Sequence, residues 1–304
     1  MLAPSRRSVL LGTAGLLALT ACGSEDTPSA TKAATVLGMS AIPDQDPELL
    51  NRLYPVLAKR FASDTGLDVE YKPVTDYTAV VRAFEVGDIY LAWMGGLTGV
   101  QARARVPGAT AIAQRDIDAD FHSLFIATKK SGLQPFEDEA GLTSLTGHTL
   151  TFGSETSTSG RLMPQYFMAQ GGLDPAALKG SPGFSGSHDA TIEAVASGSF
   201  EVGAVNEQVW NTAKEAGEVD LSNVVVLWQT PGYADYHWLV RPDVDKVFGE
   251  GTTQQITDLL LGLDAATPDD QAILELFGAE SFIPTEDSNY DQIEAVAKEQ
   301  GLLA

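Results

Sequence analysis

The sequence predicts an α/β protein of two lobes, each a mainly parallel sheet flanked by helices, joined by crossing strands. Short β-like runs alternate with amphipathic helices from residue 35 onward. The 304 residues are 44% hydrophobic, enough to bury one large core or two medium ones. The single cysteine, Cys22, excludes an intramolecular disulfide as the organising element. One long sheet would also accommodate the alternation, but two lobes fit the segmentation better.

The first 22 residues have the pattern of an export signal followed by an anchor. Arg6 and Arg7 precede an apolar run over 9–19 that is too short to span a bilayer as a helix. The arginine pair resembles a twin-arginine signal, and the Sec route is the alternative. Leu-Thr-Ala-Cys over 19–22 resembles the bacterial lipobox, in which the cysteine carries lipid and becomes the first mature residue.

We therefore expect a signal peptide over 1–21, lipidation at Cys22 and a flexible tether over 22–34. The body would then lie outside the cytoplasm, in the periplasm or at the cell surface, anchored to the membrane by lipid. The alternative is an ordinary secreted protein with an incidental cysteine.

The first half of the body has clear boundaries between elements. A strand is predicted over 35–39, and Asp46 followed by Pro47 predicts the start of a helix. Apolar residues at helical spacing continue that helix to Gly66, a typical C-terminal stop. A second strand over 69–72 leads to Tyr77, which opens a helix ending near residue 87.

Later strands are predicted over 89–93, 149–152, 201–205 and 224–228, and helices over 252–263, 270–277 and 290–302. The crossings fall near 121–129 and 230–241. The first lobe is accordingly 35–125 plus 237–304, and the second lobe is 126–236.

Charge and motifs exclude several classes of function. With 19 Lys and Arg against 41 Asp and Glu, the net charge is −22, which argues against a general nucleic-acid binder. Four scattered histidines and one cysteine predict no metal site. The chain has no Gly-x-Ser-x-Gly, His-Glu-x-x-His or phosphate-loop motif, and a Ser157–His188 pair lacks an orienting base. We therefore predict no catalytic residues, no cofactor and no enzymatic activity.

A run of hydroxyl residues over 156–160 is the sharpest sign of a binding site. It follows a predicted strand, and a loop entering a helix presents free backbone N–H groups that bind anions. The hydroxyls of Ser157, Thr158 and Ser159 add donors at the same point. The alternative is that these residues merely cap a helix.

Further candidates lie at other strand ends or on the return crossing: Tyr77, Trp93, Gly95, His188, Asn206 and Tyr236. Ligands of open α/β sheets collect at the carboxyl ends of strands. Tyr77 and Trp93 either wall the pocket or belong to the core. His188 either donates to an anion or caps its helix, and Tyr236 either closes over the ligand or packs at the hinge.

Together these residues resemble the phosphonate-type substrate-binding proteins of ABC importers, a branch of the two-lobed periplasmic-binding fold (type II). Within that branch the chain most resembles a selenate-binding subgroup. The stretches that carry the resemblance are 40–44, 74–77, 91–96, 157–164, 184–191, 235–238 and 282–285.

The resemblance implies ligand capture between the lobes and delivery to a membrane permease and its ATPase, by a protein that we expect to be a monomer. It implies that Ser157, Thr158 and Ser159 hold the oxyanion, with Tyr77, Trp93, His188 and Asn206 around it. The carboxylates with which phosphonate binders hold an amino group have no secure match here. This departure favours a small tetrahedral oxyanion.

Selenate and sulfate only accept hydrogen bonds near neutral pH, whereas phosphite and phosphate can retain a proton that needs an acceptor. A carboxylate of Asp235 or Asp189 pointing into the cleft would favour the phosphorus oxyanions. A sensor that signals to a membrane kinase would use the same binding chemistry, so this alternative to import stays open.

Overall fold

The structure is a computed structural model that describes residues 35–217 and 220–303. The predicted export signal, Cys22 and the tether lie outside these residues. The strands are β1 (Leu37–Ala41), β2 (Val69–Tyr71), β3 (Leu91–Met94), β4 (Thr110–Arg115), β5 (Ser123–Thr128), β6 (Leu150–Phe152), β7 (Gly183–Phe184), β8 (Val202–Asn206), β9 (Val224–Gln229), β10 (His237–Val240) and β11 (Phe282–Pro284). The helices are α1 (Pro47–Thr65), α2 (Tyr77–Val86), α3 (Gly96–Arg105), α4 (Met163–Gln170), α5 (His188–Ala196), α6 (Glu207–Ala216), α7 (Val244–Phe248), α8 (Thr252–Leu261), α9 (Pro268–Phe277) and α10 (Asp291–Glu299).

The strands form two sheets, in the order β11-β4-β10-β3-β1-β2 and β7-β6-β8-β5-β9. Parallel pairing among predicted strands is present in both sheets: β1 pairs in parallel with β2 and β3, and β6 with β8. Strand β7, which the sequence did not predict, is also parallel to β6. The strands that follow the crossings, β5 and β10, are antiparallel to both of their neighbours. Each runs in the opposite direction because the chain enters its sheet from the other sheet.

The chain passes between the sheets over 116–122 and returns over 230–236, here called the first and second crossing segments. Phe121 and Tyr233 pair across these segments through two backbone hydrogen bonds of 2.9 and 3.0 Å. The expected first boundary, at 125/126, is wrong in one respect. It falls inside β5, whose residues from Ser123 onward pair with the second sheet.

Local sequence explains where the first helices begin. The Asp46 side chain accepts the backbone N–H groups of Glu48 and Leu49, and α1 ends at Gly66 with φ of 69°. The Asp76 side chain caps α2, which places Tyr77 at its first position. In the described part of the chain, no helix is long and apolar enough to cross a membrane.

Candidate functional site

The predicted site residues converge where strands of both sheets end. Each candidate lies near the end of a strand, after a strand or on the second crossing segment, with Trp93 inside β3 and Asn206 the last residue of β8. All of them are buried: Tyr77, Trp93, Gly95, Ser157, Thr158, Ser159, His188, Asn206 and Tyr236. Their convergence follows from topology, because the carboxyl ends of parallel strands meet at one edge of a sheet.

Residues 154–160, here called the anion loop, connect β6 to a π-helical turn over Thr158–Leu162. The Ser157 Oγ accepts the Gly160 N–H at 2.9 Å, so this residue does cap the turn. The first N–H groups of the turn have no acceptor within the helix and remain available to an anion. Thr158 and Ser159 are the residues that supply those groups, and the Ser159 Oγ is buried with no protein partner among the described residues.

Direct contacts join the two sheets around this loop. The Thr158 Oγ1 accepts the Leu97 N–H of α3 at 3.0 Å. The His188 N–H donates to the Asp44 carbonyl oxygen at 3.1 Å. The side chains of the site are therefore enclosed by both halves of the protein.

Gly95 is needed for this close approach. A Cβ atom at this position would lie 3.0 Å from the Thr158 Oγ1 and 3.2 Å from the Asp235 Oδ1. Its φ of −74° suits any residue, so the requirement for glycine is one of space.

We expect Gly95→Ala to weaken oxyanion binding by about 5- to 100-fold, because overpacking typically costs about 1–3 kcal/mol. The added methyl group presses on Thr158 only when the two sheets are in contact. Isothermal titration calorimetry measures the affinity, and thermal unfolding of the ligand-free protein provides the control. Unchanged affinity would contradict the packing role.

The hydroxyl of Tyr236 is the centre of a buried polar cluster. The Asn206 Nδ2 donates to it at 2.9 Å, and the His188 Nε2 lies 3.4 Å away. The Asn206 Oδ1 accepts the Val209 N–H at 2.6 Å, so Asn206 also caps α6. Since the hydroxyl oxygen of Tyr236 accepts hydrogen bonds from Asn206 and His188, its hydroxyl hydrogen points away from both of them.

His188 is a neutral donor. Burial lowers its pKa to about 3. Its Nδ1 accepts the Asn206 backbone N–H at 3.3 Å, which assigns the ring hydrogen to Nε2. Ser187, and not His188, caps α5, so the capping alternative for the His188 side chain is wrong.

Two aromatic candidates differ in their surroundings. Trp93 stacks on Tyr236 with 5.7 Å between ring centroids and packs edge-on against Phe277 and Phe282. It is therefore part of the core and also supports a site residue. The Tyr77 hydroxyl is buried with no protein partner among residues 35–217 and 220–303, and burial raises its pKa, so it stays a donor.

Asp235, on the second crossing segment, is a site residue that the candidate set omitted. Its Oδ1 accepts the Gly96 N–H at 2.9 Å, whereas its Oδ2 is buried without a partner in the described chain. Burial raises the pKa of Asp235 to about 7, against the opposing effect of the Gly96 N–H and with a smaller raising contribution from the Asp118 charge. No local sequence pattern indicates this carboxyl, because its partner Gly96 is far away in the chain.

The buried cation near the site is already neutralised. The Arg115 guanidinium lies 4.7 Å from the Tyr236 ring centroid and forms two 2.7 Å bonds to the Asp118 carboxylate. It donates a further bond to the Phe277 carbonyl oxygen at 2.7 Å. Arg115 is therefore occupied by protein partners. Besides Asp235, a second buried carboxyl group, that of Asp44, lies in this region, and burial raises its pKa to about 6 against the opposing effects of the Arg115 charge and the Tyr236 hydroxyl.

Two surface grooves lie where elements of both sheets meet. One, of about 430 Å³, is lined by residues of α1, α5 and α6, including Asp46, Glu48 and Glu193. The other, of about 500 Å³, lies between the first crossing segment and α6. Neither of these two grooves is lined by a predicted site residue. In the described residues no group of three or more His, Cys, Asp or Glu side chains is arranged to hold a metal ion.

Comparison with known proteins identifies the class to which this fold and site belong. Over residues 39–290 the chain matches the family of periplasmic phosphonate substrate-binding proteins of ABC transporters, and it belongs to that family. The prediction of a binding protein, and not an enzyme, is confirmed by this membership.

Individual relatives are consistent with the family. The chain is 42% identical over 264 residues to the "Probable ABC transporter phosphite binding protein PhnD1" of Prochlorococcus marinus (strain MIT 9301), covering 86% of this chain and 89% of the relative. The structure of that PhnD1 in complex with methylphosphonate is similar, with a TM-score of 0.86 over 88% of this chain and 99% of that one. The phosphate-import protein PhnD of Mycolicibacterium smegmatis is 25% identical over 228 residues, 70% of each chain.

Proposed function

We propose that this protein is the substrate-binding component of an importer that captures phosphite or a small phosphonate carrying a single proton. The buried Oδ2 of Asp235 is the observation that carries the proposal. A carboxylate oxygen accepts a hydrogen bond, so it suits an oxyanion with an O–H group. The similarity to a phosphite-binding relative supports the same ligand class.

The remaining oxygens of the ligand would meet neutral donors. The Ser159 hydroxyl, the Tyr77 hydroxyl and the N–H groups that begin the π-helical turn are buried donors of this kind. Hydrogen bonds to a charged group contribute about 1.5–3 kcal/mol each, so several such bonds suffice to hold an anion without a cationic partner.

Selenate and sulfate are disfavoured by the same carboxyl group. They have no proton to offer near neutral pH, so they bind only when Asp235 is itself protonated. Selenate, the ligand suggested by the resemblance to a selenate-binding subgroup, is therefore less favoured than phosphite.

Capture would occur by closure of two lobes about the crossing segments. The Thr158–Leu97 and His188–Asp44 bonds would form on closure, because they join elements of different sheets. With β5 assigned to the second sheet, the proposed lobes are 35–122 with 237–303, and 123–236. Closure would strengthen each bond to the anion as water leaves.

Attachment to the membrane at Cys22, by a protein that acts as a monomer, completes the proposal. The lipobox-like residues 19–22 support it. Metabolic labelling with a radioactive fatty acid should label the full chain and not the Cys22→Ser variant. Delivery to a permease is favoured over signalling to a kinase by the importer family.

A calorimetric panel tests the ligand class. Phosphite, methylphosphonate, phosphate, selenate and sulfate are titrated separately at neutral pH. We expect submicromolar binding of phosphite or methylphosphonate and weaker binding of selenate and sulfate, which bind only the protonated form of Asp235, about half of the protein near pH 7. Tighter binding of selenate, or submicromolar binding of none, would overturn the proposal.

We also expect the affinity for phosphite to fall as the pH rises above about 7, the pKa of Asp235. Below that pH one proton is available to the pair formed by the carboxyl group and the ligand. Above it both are ionised and repel each other. His188, with a pKa of about 3, stays neutral throughout. Titrations between about pH 6 and about pH 9 measure the effect, and an affinity that is constant or rises would contradict it.

A further inference from the structure

A chain of buried hydroxyl groups connects the crossing segments to the anion loop. The Ser123 Oγ, at the start of β5, donates to the Ser159 carbonyl oxygen at 2.8 Å. The Tyr233 hydroxyl, on the second crossing segment, lies 2.6 Å from the same Ser123 Oγ. All three residues are at most 3% exposed.

The direction of these bonds follows from counting hydrogens. Ser123 has one hydroxyl hydrogen, and a carbonyl oxygen can only accept, so that hydrogen goes to Ser159. Tyr233 must therefore donate its own hydrogen to Ser123. Burial and the nearby Asp235 charge raise the pKa of Tyr233 well above its usual value, so the phenol keeps its hydrogen and stays a donor.

Backbone hydrogen bonds hold Tyr233 and Ser123, the first two residues of this series of hydroxyl groups, in place. Tyr233 pairs with Phe121 through both backbone hydrogen bonds. The Ser123 N–H donates to the Thr230 Oγ1 at 3.0 Å, and the Thr230 N–H donates to the Ser123 carbonyl oxygen at 3.0 Å. Tyr233 and Ser123 are thus fixed to both crossing segments, about which the lobes would move.

We propose that Tyr233 and Ser123 are positioning residues that orient Ser159 toward the anion and couple the anion loop to the crossing segments. This inference rests on the proposed function. The hydrogen bond from Ser123 fixes the direction of the Ser159 carbonyl group. It thereby limits the positions of the Ser159 hydroxyl, which has no other protein partner among the described residues. A movement of the crossing segments then changes the donors that the ligand meets.

The test is a double-mutant cycle between Tyr233→Phe and Ser159→Ala, with phosphite affinity measured by calorimetry. We expect Tyr233→Phe alone to weaken binding by about 5- to 10-fold, the effect of about 1 kcal/mol for one lost hydrogen bond. In the Ser159→Ala background the same change should weaken binding by less than about twofold, since Tyr233 acts through Ser159. A purely structural role would produce equal losses in both backgrounds, and equal losses would overturn the inference.

Tyr290→Phe is the matched control. It also removes a buried hydroxyl, but one that donates to the Gln114 Oε1 at 3.1 Å. We expect it to leave phosphite affinity unchanged in both backgrounds. If Tyr233→Phe fails to fold, as judged by circular dichroism, Ser123→Ala breaks the same connection and takes its place in the cycle.

Failure of this inference is distinguishable from failure of the proposed function. A wild-type protein that binds none of the tested oxyanions contradicts the function. A wild-type protein that binds phosphite, with Tyr233→Phe and Ser123→Ala binding equally well, contradicts only the positioning role.

Discussion

Asp235→Asn is expected to reverse the ligand preference of the site. The Gly96 N–H, 2.9 Å from the Asp235 Oδ1, requires an acceptor, so the amide oxygen takes the Oδ1 position and the NH₂ group takes the Oδ2 position. An acceptor that faces the ligand is thereby replaced by a donor. We expect phosphite affinity to fall by about 10- to 100-fold, and sulfate and selenate affinity to rise by a similar factor.

Calorimetry of the same anions on both proteins measures the reversal. Asp270→Asn provides a matched control, because it neutralises another buried carboxylate, one paired with Arg60. It should lower stability without changing the order of ligand affinities. Equal losses for all anions in Asp235→Asn would contradict the shared-proton account and indicate that Asp235 only supports the fold.

Thr158→Val is expected to have the second large effect. Valine keeps the shape of threonine but removes the oxygen that accepts the Leu97 N–H at 3.0 Å. In the closed protein that N–H would then be buried and unpaired, which costs about 1–3 kcal/mol. Because the bond joins the two sheets, we expect this cost to fall on ligand binding, lowering affinity for every anion by about 5- to 100-fold.

The control removes a buried threonine hydroxyl within one sheet. Thr151, in β6, donates to the Phe152 carbonyl oxygen at 3.1 Å, and within residues 35–217 and 220–303 it makes no side-chain hydrogen bond to the first sheet, so Thr151→Val should leave affinity unchanged. Stopped-flow measurement adds a second readout, since loss of a bond formed on closure should mainly accelerate ligand release. A Thr158→Val protein with unchanged affinity and release would contradict the role of this bond in closure.

The sequence was most informative where local chemistry sets the structure. Asp46, Pro47 and Gly66 predict the ends of α1 because capping and left-handed glycine depend on neighbouring backbone atoms. The run over 156–160 indicates an anion loop for the same reason, since hydroxyl groups and free N–H groups at a helix start are local features.

What escaped prediction depends on contacts between distant segments. Strand β4, Thr110–Arg115, was not predicted, because two of its six residues are alanine and its pairing with β10 and β11 supplies the stability that its sequence does not indicate. The predicted boundary of the first lobe, at 125/126, is misplaced because β5 is apolar over most of its length. No feature of its local sequence indicates which sheet it joins. The sequence indicates only that Asp235 would favour phosphorus oxyanions if it pointed into the cleft. It does not predict that Asp235 is buried and bonded to Gly96, because these contacts depend on the path of the second crossing segment.

A crystal structure of the full chain grown with phosphite tests the central claim most directly. We expect one phosphite oxygen within hydrogen-bonding distance of the Asp235 Oδ2, and the others at the Ser159 hydroxyl and the first N–H groups of the π-helical turn. A phosphite bound instead through arginine or lysine side chains, or away from residues 156–160, would contradict the account.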